Sequence, residues 1–248
     1  MDWTKHNAAV WRPNQQRLKA IDQIDSVSLN QLIGIDRQKQ RLVTNTEKFI
    51  NGGGFNNALL WGSRGTGKSS LVKAVFNRFS EQNLRIIEVF KENLKDLHDI
   101  VDLIRNEPYK FIIYCDDFAF AANDHSYSSL KSVLEGSLEA APTNVVLYAT
   151  SNRRHLIPQT MKENLDSSVI DGELHLSDAI EEKIALSDRF GLWLSFHPIS
   201  QRQYLEIVDS YFASYEGDRA KLHESALLFS RERASRSGRT AQQFFKSR

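Results

Sequence analysis

Between Gly62 and Ser69 the chain reads Gly-Ser-Arg-Gly-Thr-Gly-Lys-Ser, three glycines closing on a lysine and a hydroxyl. This is the spacing G-x-x-x-x-G-K-[ST], and its residue types suit one chemistry, the cradling of nucleotide phosphates. Glycines let the backbone turn tightly enough to aim successive N–H groups at phosphate oxygens, and the positive end of a following helix adds to that field. Lys68 would neutralise the β- and γ-phosphates, and the Ser69 hydroxyl is placed to ligate Mg²⁺. The candidate phosphate-binding residues are therefore Gly62, Ser63, Arg64, Gly65, Thr66, Gly67, Lys68, Ser69 and Ser70. A chance glycine turn is the competing reading; the apolar run before it and the helical pattern after it decide against that.

A second element carries matching chemistry. Lys110 to Asp117, KFIIYCDD, is an apolar run that ends in two carboxylates. An acid at the carboxyl end of a strand beside a phosphate loop is where Mg²⁺ coordination is needed, which makes Asp116 a metal ligand with Ser69. Asp117 would then polarise the attacking water. On its own such a pair would more readily be read as a strand end or a helix cap.

These residues must be held by strands alternating with helices. Asn57–Trp61, Arg85–Phe90, Lys110–Cys115, Asn144–Thr150 and Leu192–Phe196 read as four or five short buried strands. The spacing predicts helices over Ser69–Ser80 and about Lys95–Arg105. Together they predict an α/β fold with a parallel sheet covered on both faces. After Pro198 no strand is evident, and helical patterns run over Gln201–Tyr215, Arg219 to about Ser235, and Thr240–Lys246. The expected organisation is an N-terminal extension over 1–27, a nucleotide-binding core over 28–198 and a small helical unit over 199–248. Asn51-Gly52-Gly53-Gly54 reads as a turn.

Composition narrows the function classes. With 32 Lys+Arg against 31 Asp+Glu, no global field draws the 248-residue chain to nucleic acid or to an anionic membrane. The opening MDWTKHNAAVWRPNQQ has no apolar signal core and no segment reaches the length of a membrane span, so a cytoplasmic location is expected. A single cysteine, Cys115, rules out an internal disulfide framework and reads as a buried thiol. Seven histidines without HExxH or Cys/His pairing argue against zinc. Arg231, Arg233, Arg236, Arg239, Lys246 and Arg248 crowd the last helices, but aromatic residues interleaved for base stacking are not obvious there, so they read as a solvated face rather than a nucleic-acid surface.

From about Gln31 to the end the chain resembles the AAA+ ATPases. LIGIDRQKQRL resembles the segment that packs on adenine, which implies contacts from Ile33, Gly34 and Ile35. NVVLYATSN ends in Asn152, at the position of sensor 1; IALSDRFG contains Arg189, similar to an arginine finger; SGRTAQQF places Arg239 as sensor 2 on a helical lid. The wording GIDRQK, LLWGSRGTGKSSLVKA, CDD, ATSNRRHLIP, LSDRFGL and SGRTAQQF is similar to a bacterial AAA+ family catalogued as domain of unknown function 815.

The resemblance implies ATP or ADP with Mg²⁺, catalytic roles for Asp117, Asn152 and Arg189, nucleotide contact by Arg239, and a homo-oligomeric ring or spiral, often of six. Two departures bear on mechanism. Asp117 stands where Glu is usual, one methylene shorter, which implies slow or partner-dependent hydrolysis. FKENLKDL lacks the aromatic-apolar-Gly triplet of protein-threading rings. The expected function is an ATPase coupling nucleotide state to conformation and assembly. The alternatives are a slow or non-hydrolysing switch that recruits a protein partner, and a DNA-associated loader.

Overall fold

The structure, a computed structural model, describes residues 1–118, 140–152 and 189–248. Of the stretches that carry the resemblance, residues 153–158 and 184–188 lie outside the described residues. Among those described, seven strands form one sheet: β1 (Ala8–Arg12), β2 (Arg17–Ala20), β3 (Ala58–Gly62), β4 (Leu84–Glu88), β5 (Lys110–Cys115), β6 (Val145–Ser151) and β7 (Leu192–Phe196). Their spatial order is β2-β1-β4-β5-β6-β3-β7. Every neighbouring pair runs parallel except β1 with β2.

The middle strands are apolar on both faces because both faces are covered, and alternate residues sort into two cores. Leu59, Ile87, Ile113, Leu147 and Ala149 pack with helix α3 (Leu97–Ile104) on one side. Leu60, Ile86, Ile112, Tyr114, Val146 and Tyr148 pack on the other against α1 (Asp36–Ile50) and α2 (Lys68–Phe79). A third core, built from Tyr204, Val208, Phe212, Leu222, Ala226, Ala241 and Phe244, joins α4 (Gln201–Tyr211), α5 (Arg219–Glu232) and α6 (Gly238–Lys246).

Three elements escape the sequence reading. Residues 8–20 lie in the region expected to be a weakly patterned extension, yet they form β1 and β2 at the edge of the main sheet. Their signal is short: the run Ala8–Trp11 meets Arg12 and Pro13, and β2 alternates half-buried with exposed positions. Tertiary contacts fix them. Trp11 is buried with its Nε1 donating to Asp96 at 2.9 Å, and the Arg85 guanidinium donates twice to the Trp3 carbonyl, at 3.0 and 2.8 Å.

Helix α1 is hidden for another reason, its buried face being partly polar. Asn45 Nδ2 donates to the Asn56 carbonyl at 2.8 Å, and Thr46 Oγ1 and Tyr148 Oη lie 2.8 Å apart. The remaining ends shift by a few residues. The helix expected from Lys95 is a 3₁₀ turn, Lys91–Asp96, leading into α3, and α4 stops at Tyr211 rather than Tyr215.

Candidate nucleotide site

The glycine loop leaves the carboxyl end of β3 and enters α2 at Lys68. Gly62, Gly65 and Gly67 all have positive φ, at 132°, 73° and 96°. At Gly62 the requirement is also steric, since a Cβ there would stand 1.9 Å from the Phe196 carbonyl oxygen on β7. Gly65 is where the C-terminal helices touch the loop. A Cβ on it would lie 2.7 Å from Ser237 Cβ, and the Gly238 N–H donates to the Gly65 carbonyl at 3.0 Å. Ser237 caps α6 by accepting from the Thr240 N–H, which sets Arg239 in the helix's first turn beside the loop.

Because β6 lies between β3 and β5, three strand ends deliver side chains to one place. Lys68 Nζ donates to the Gly62 carbonyl at 2.8 Å, the Ser63 carbonyl at 2.7 Å and Asn152 Oδ1 at 3.1 Å. Asn152 Nδ2 donates to Asp117 Oδ1 at 2.6 Å. Ser69 Oγ donates to Asp116 Oδ1 at 2.8 Å. Thr150 also donates to Asp116, and it accepts from the Asp117 N–H at 3.1 Å. Burial alone would raise the Asp116 carboxyl, but the hydrogen bonds from Thr150 and Ser69 outweigh it and hold the group below its ordinary value.

Burial lowers Lys68 to about 8, and Arg64 and Arg239 push the same way against the opposing pull of Asp116 and Asp117. Three cationic side chains thus crowd a loop that runs into the N-terminus of α2, an arrangement that favours anions. A bound polyphosphate favours the charged lysine, so its affinity should fall as pH rises through about 8, the value at which free Lys68 loses its proton. Calorimetric titration at pH 8 in buffers of different ionisation enthalpy should report net proton uptake by the protein on binding. Zero uptake would mean that Lys68 does not face the anion.

Ser69 and Asp116 also suit Mg²⁺. A hydroxyl and an ionised carboxylate meet at 2.8 Å, with the buried Tyr114 hydroxyl beside them. Ile33, Gly34 and Ile35 run between the core and the C-terminal helices. Ile33 packs on the helical cluster, Ile35 on the sheet-side core, and a Cβ on Gly34, at φ 78°, would lie 2.8 Å from Gln203 Nε2 on α4. Arg189 is not at this site. It stands three residues before β7, whose first residue pairs with Ala58 at the start of β3. The loop begins at the far end of β3, a strand length away, roughly 16 Å. Arg189 lines a cavity there with Phe55, Asn57 and Val145.

Thr150, Tyr114 and Ser237 were invisible as site residues. Thr150 and Tyr114 read as strand positions in apolar runs, and Ser237 as part of a polar loop, so no spacing rule marks them. Cys115 is buried as expected, and burial pushes its thiol up.

The sequence matches the family described as "Protein of unknown function (DUF815)" over residues 4–248. The chain belongs to this family. No curated protein matches it. Among solved structures, a point mutant of Thermotoga maritima RuvB superposes with TM-score 0.54 at 16% identity, covering 89% of this chain and 72% of that one. The RuvB Holliday junction branch migration motor of Thermotoga maritima superposes with TM-score 0.51 at 13% identity, again covering 89% and 72%. This DUF815 chain therefore has the AAA+ P-loop fold, a mostly parallel sheet flanked by helices with a C-terminal helical bundle. Among the described residues of the DUF815 chain no helix is long and apolar enough to cross a membrane.

Proposed function

We propose that the chain is an ATP-binding, Mg²⁺-dependent ATPase. The observation that carries this is the convergence of the glycine loop, Lys68, Ser69, Asp116, Asp117 and Asn152 at the carboxyl ends of β3, β5 and β6. Loop N–H groups, Lys68 and Arg239 bind the phosphates, and Ile33 to Ile35 border the base. Ser69 and Asp116 hold the metal, which supplies charge neutralisation at the β- and γ-phosphates. Asp117, oriented by Asn152, receives the proton side of the attacking water. Residues 28–198 act as the catalytic core and 199–248 as a lid, whose contact with Gly65 gives nucleotide state a direct route to lid position.

Equilibrium binding of ATP with and without Mg²⁺, together with phosphate release, tests the reading. No binding under either condition would overturn it. Asp116→Asn should weaken Mg²⁺-dependent ATP binding by about ten- to a hundredfold while sparing metal-free binding, because an amide supplies less field at the cation.

One observation favours a slow switch as the second reading. Asp117 sits at φ 51°, a left-handed conformation that Asp tolerates better than Glu. The backbone here favours the shorter acid, whose carboxylate reaches less far than that of a Glu. Asp117→Asn should lower turnover by about a hundredfold or more with ATP affinity kept, since general-base catalysis contributes on that scale. Equal turnover in the two proteins would remove Asp117 from the chemistry.

A further inference from the structure

Helix α4 opens on a capping box. Ser200 Oγ accepts from the Gln203 N–H at 3.2 Å, and Gln203 Oε1 accepts from both the N–H and the hydroxyl of Ser200, at 2.9 and 3.1 Å. That arrangement orients the amide: its oxygen is committed to the cap, so Nε2 points away from it. Nε2 makes no hydrogen bond among the described residues, although the side chain is half-buried. The cap needs only an acceptor, which Glu supplies as well as Gln. The donor end of Gln203 is left for another use.

What that end meets is Gly34. A Cβ at this glycine would stand 2.8 Å from Gln203 Nε2 and 3.3 Å from its Cδ, so the amide lies against the bare Cα. Gly34 is exposed, and the N–H and C=O groups of Ile33 and Gly34 make no hydrogen bonds among the described residues. The next residue ties this crease to the phosphate loop, since Ile35 Cδ1 would meet a Cβ on Gly67 at 3.6 Å. A side-chain donor and unengaged backbone groups therefore line an open crease one side chain away from the loop.

Resting on the nucleotide site proposed above, we infer that Gln203 is a base-binding residue, its Nε2–H donating to N1 or N7 of adenine, the ring acceptors on either side of the exocyclic amine. Each of those two edges sets an acceptor nitrogen beside the N6 donor. The crease offers the complement, the Gln203 donor beside the open carbonyls of Ile33 and Gly34. A glycine at position 34 is what lets the amide come this close to the segment that borders the base.

The test measures equilibrium binding of ATP, 1-deaza-ATP, 7-deaza-ATP and inorganic tripolyphosphate to the full chain and to two variants. Gln203→Glu keeps an acceptor for the cap and removes the donor; Gln203→Met removes the donor without adding a charge. The parent should bind one of the two deaza analogues about tenfold more weakly than ATP, the scale of one lost hydrogen bond. Both variants should bind that analogue and ATP with equal affinity, and Gln203→Met should bind tripolyphosphate as the parent does. Parental affinity for both analogues equal to that for ATP overturns the inference, and so does an analogue defect that persists in either variant. Loss of tripolyphosphate binding in step with ATP in Gln203→Met also overturns it, making the residue a structural support of the lid. If the parent binds ATP and tripolyphosphate but does not distinguish the analogues, only this inference falls. If it binds neither, the nucleotide-site reading falls with it.

Discussion

Arg189→Ala is expected to cut ATP turnover by on the order of a thousandfold while leaving ATP affinity intact. The expectation comes from where the residue lies. Arg189 precedes β7 at the amino end of the sheet, and its own glycine loop begins at the carboxyl end of β3. It cannot serve the site on its own chain, so as an arginine finger it must complete the site of a neighbour. Such a contact joins two different surfaces, which closes into a ring, commonly of six, or continues as a spiral. Turnover per subunit should therefore rise with protein concentration. Mixing Lys68→Ala with Arg189→Ala subunits, each inactive alone, should restore part of the activity, because one mixed interface pairs an intact loop with an intact finger. Concentration-independent turnover, with no rescue despite verified co-assembly, would make Arg189 a structural residue.

Lys68→Ala is expected to weaken ATP binding by a hundredfold or more, as loss of charged hydrogen bonds worth about 1.5–3 kcal/mol each requires. The fold should survive the change. Burial lowers Lys68 to about 8 against the ordinary 10.5, so the unfolded chain binds this proton more tightly than the folded one does. The cation therefore costs stability below pH 8, and that cost is relieved as pH rises from 8 to 10.5. Removing it should not lower the Tm of the nucleotide-free protein at pH 7, provided the loop carbonyls it engages are met by water. Undiminished ATP affinity in this variant would refute the phosphate-loop reading; a collapsed Tm would show that Lys68 holds the loop together rather than serving a ligand.

Much of this was legible in the chain alone. A parallel strand buried on both faces must be apolar throughout and short, and a phosphate loop needs glycines at fixed offsets followed by Lys and Ser. Both are local requirements, so β3, β5 and β7 could be placed to within a residue, and a phosphate-binding chemistry could be expected of residues 62–70 and 116–117 from their order alone. Asn152 and Arg239 needed the resemblance, because one polar residue at a strand or helix end has no local pattern.

What the tertiary structure decided was everything that depends on which elements are neighbours. Strand order cannot be read from chain order, and only the insertion of β6 between β5 and β3 brings Asn152 against Lys68 and Asp117. The same holds for Thr150, which looks like any β-branched strand residue until Asp116 is found beside it. Tyr114 and Glu88 belong to strands with ordinary sequences, and they stand opposite each other because β4 and β5 pair in one register rather than another. Residues 8–20 are too short and too polar to declare themselves as strands; they became strands because the edge of β4 offered unpaired backbone groups and Trp3 and Trp11 could be buried beneath them. The sequence by itself determined what each segment wanted locally, periodicity and glycine conformation being properties of a few consecutive residues. The site is a property of distance in space, fixed only when long-range pairing, paid for in chain entropy, chose its neighbours.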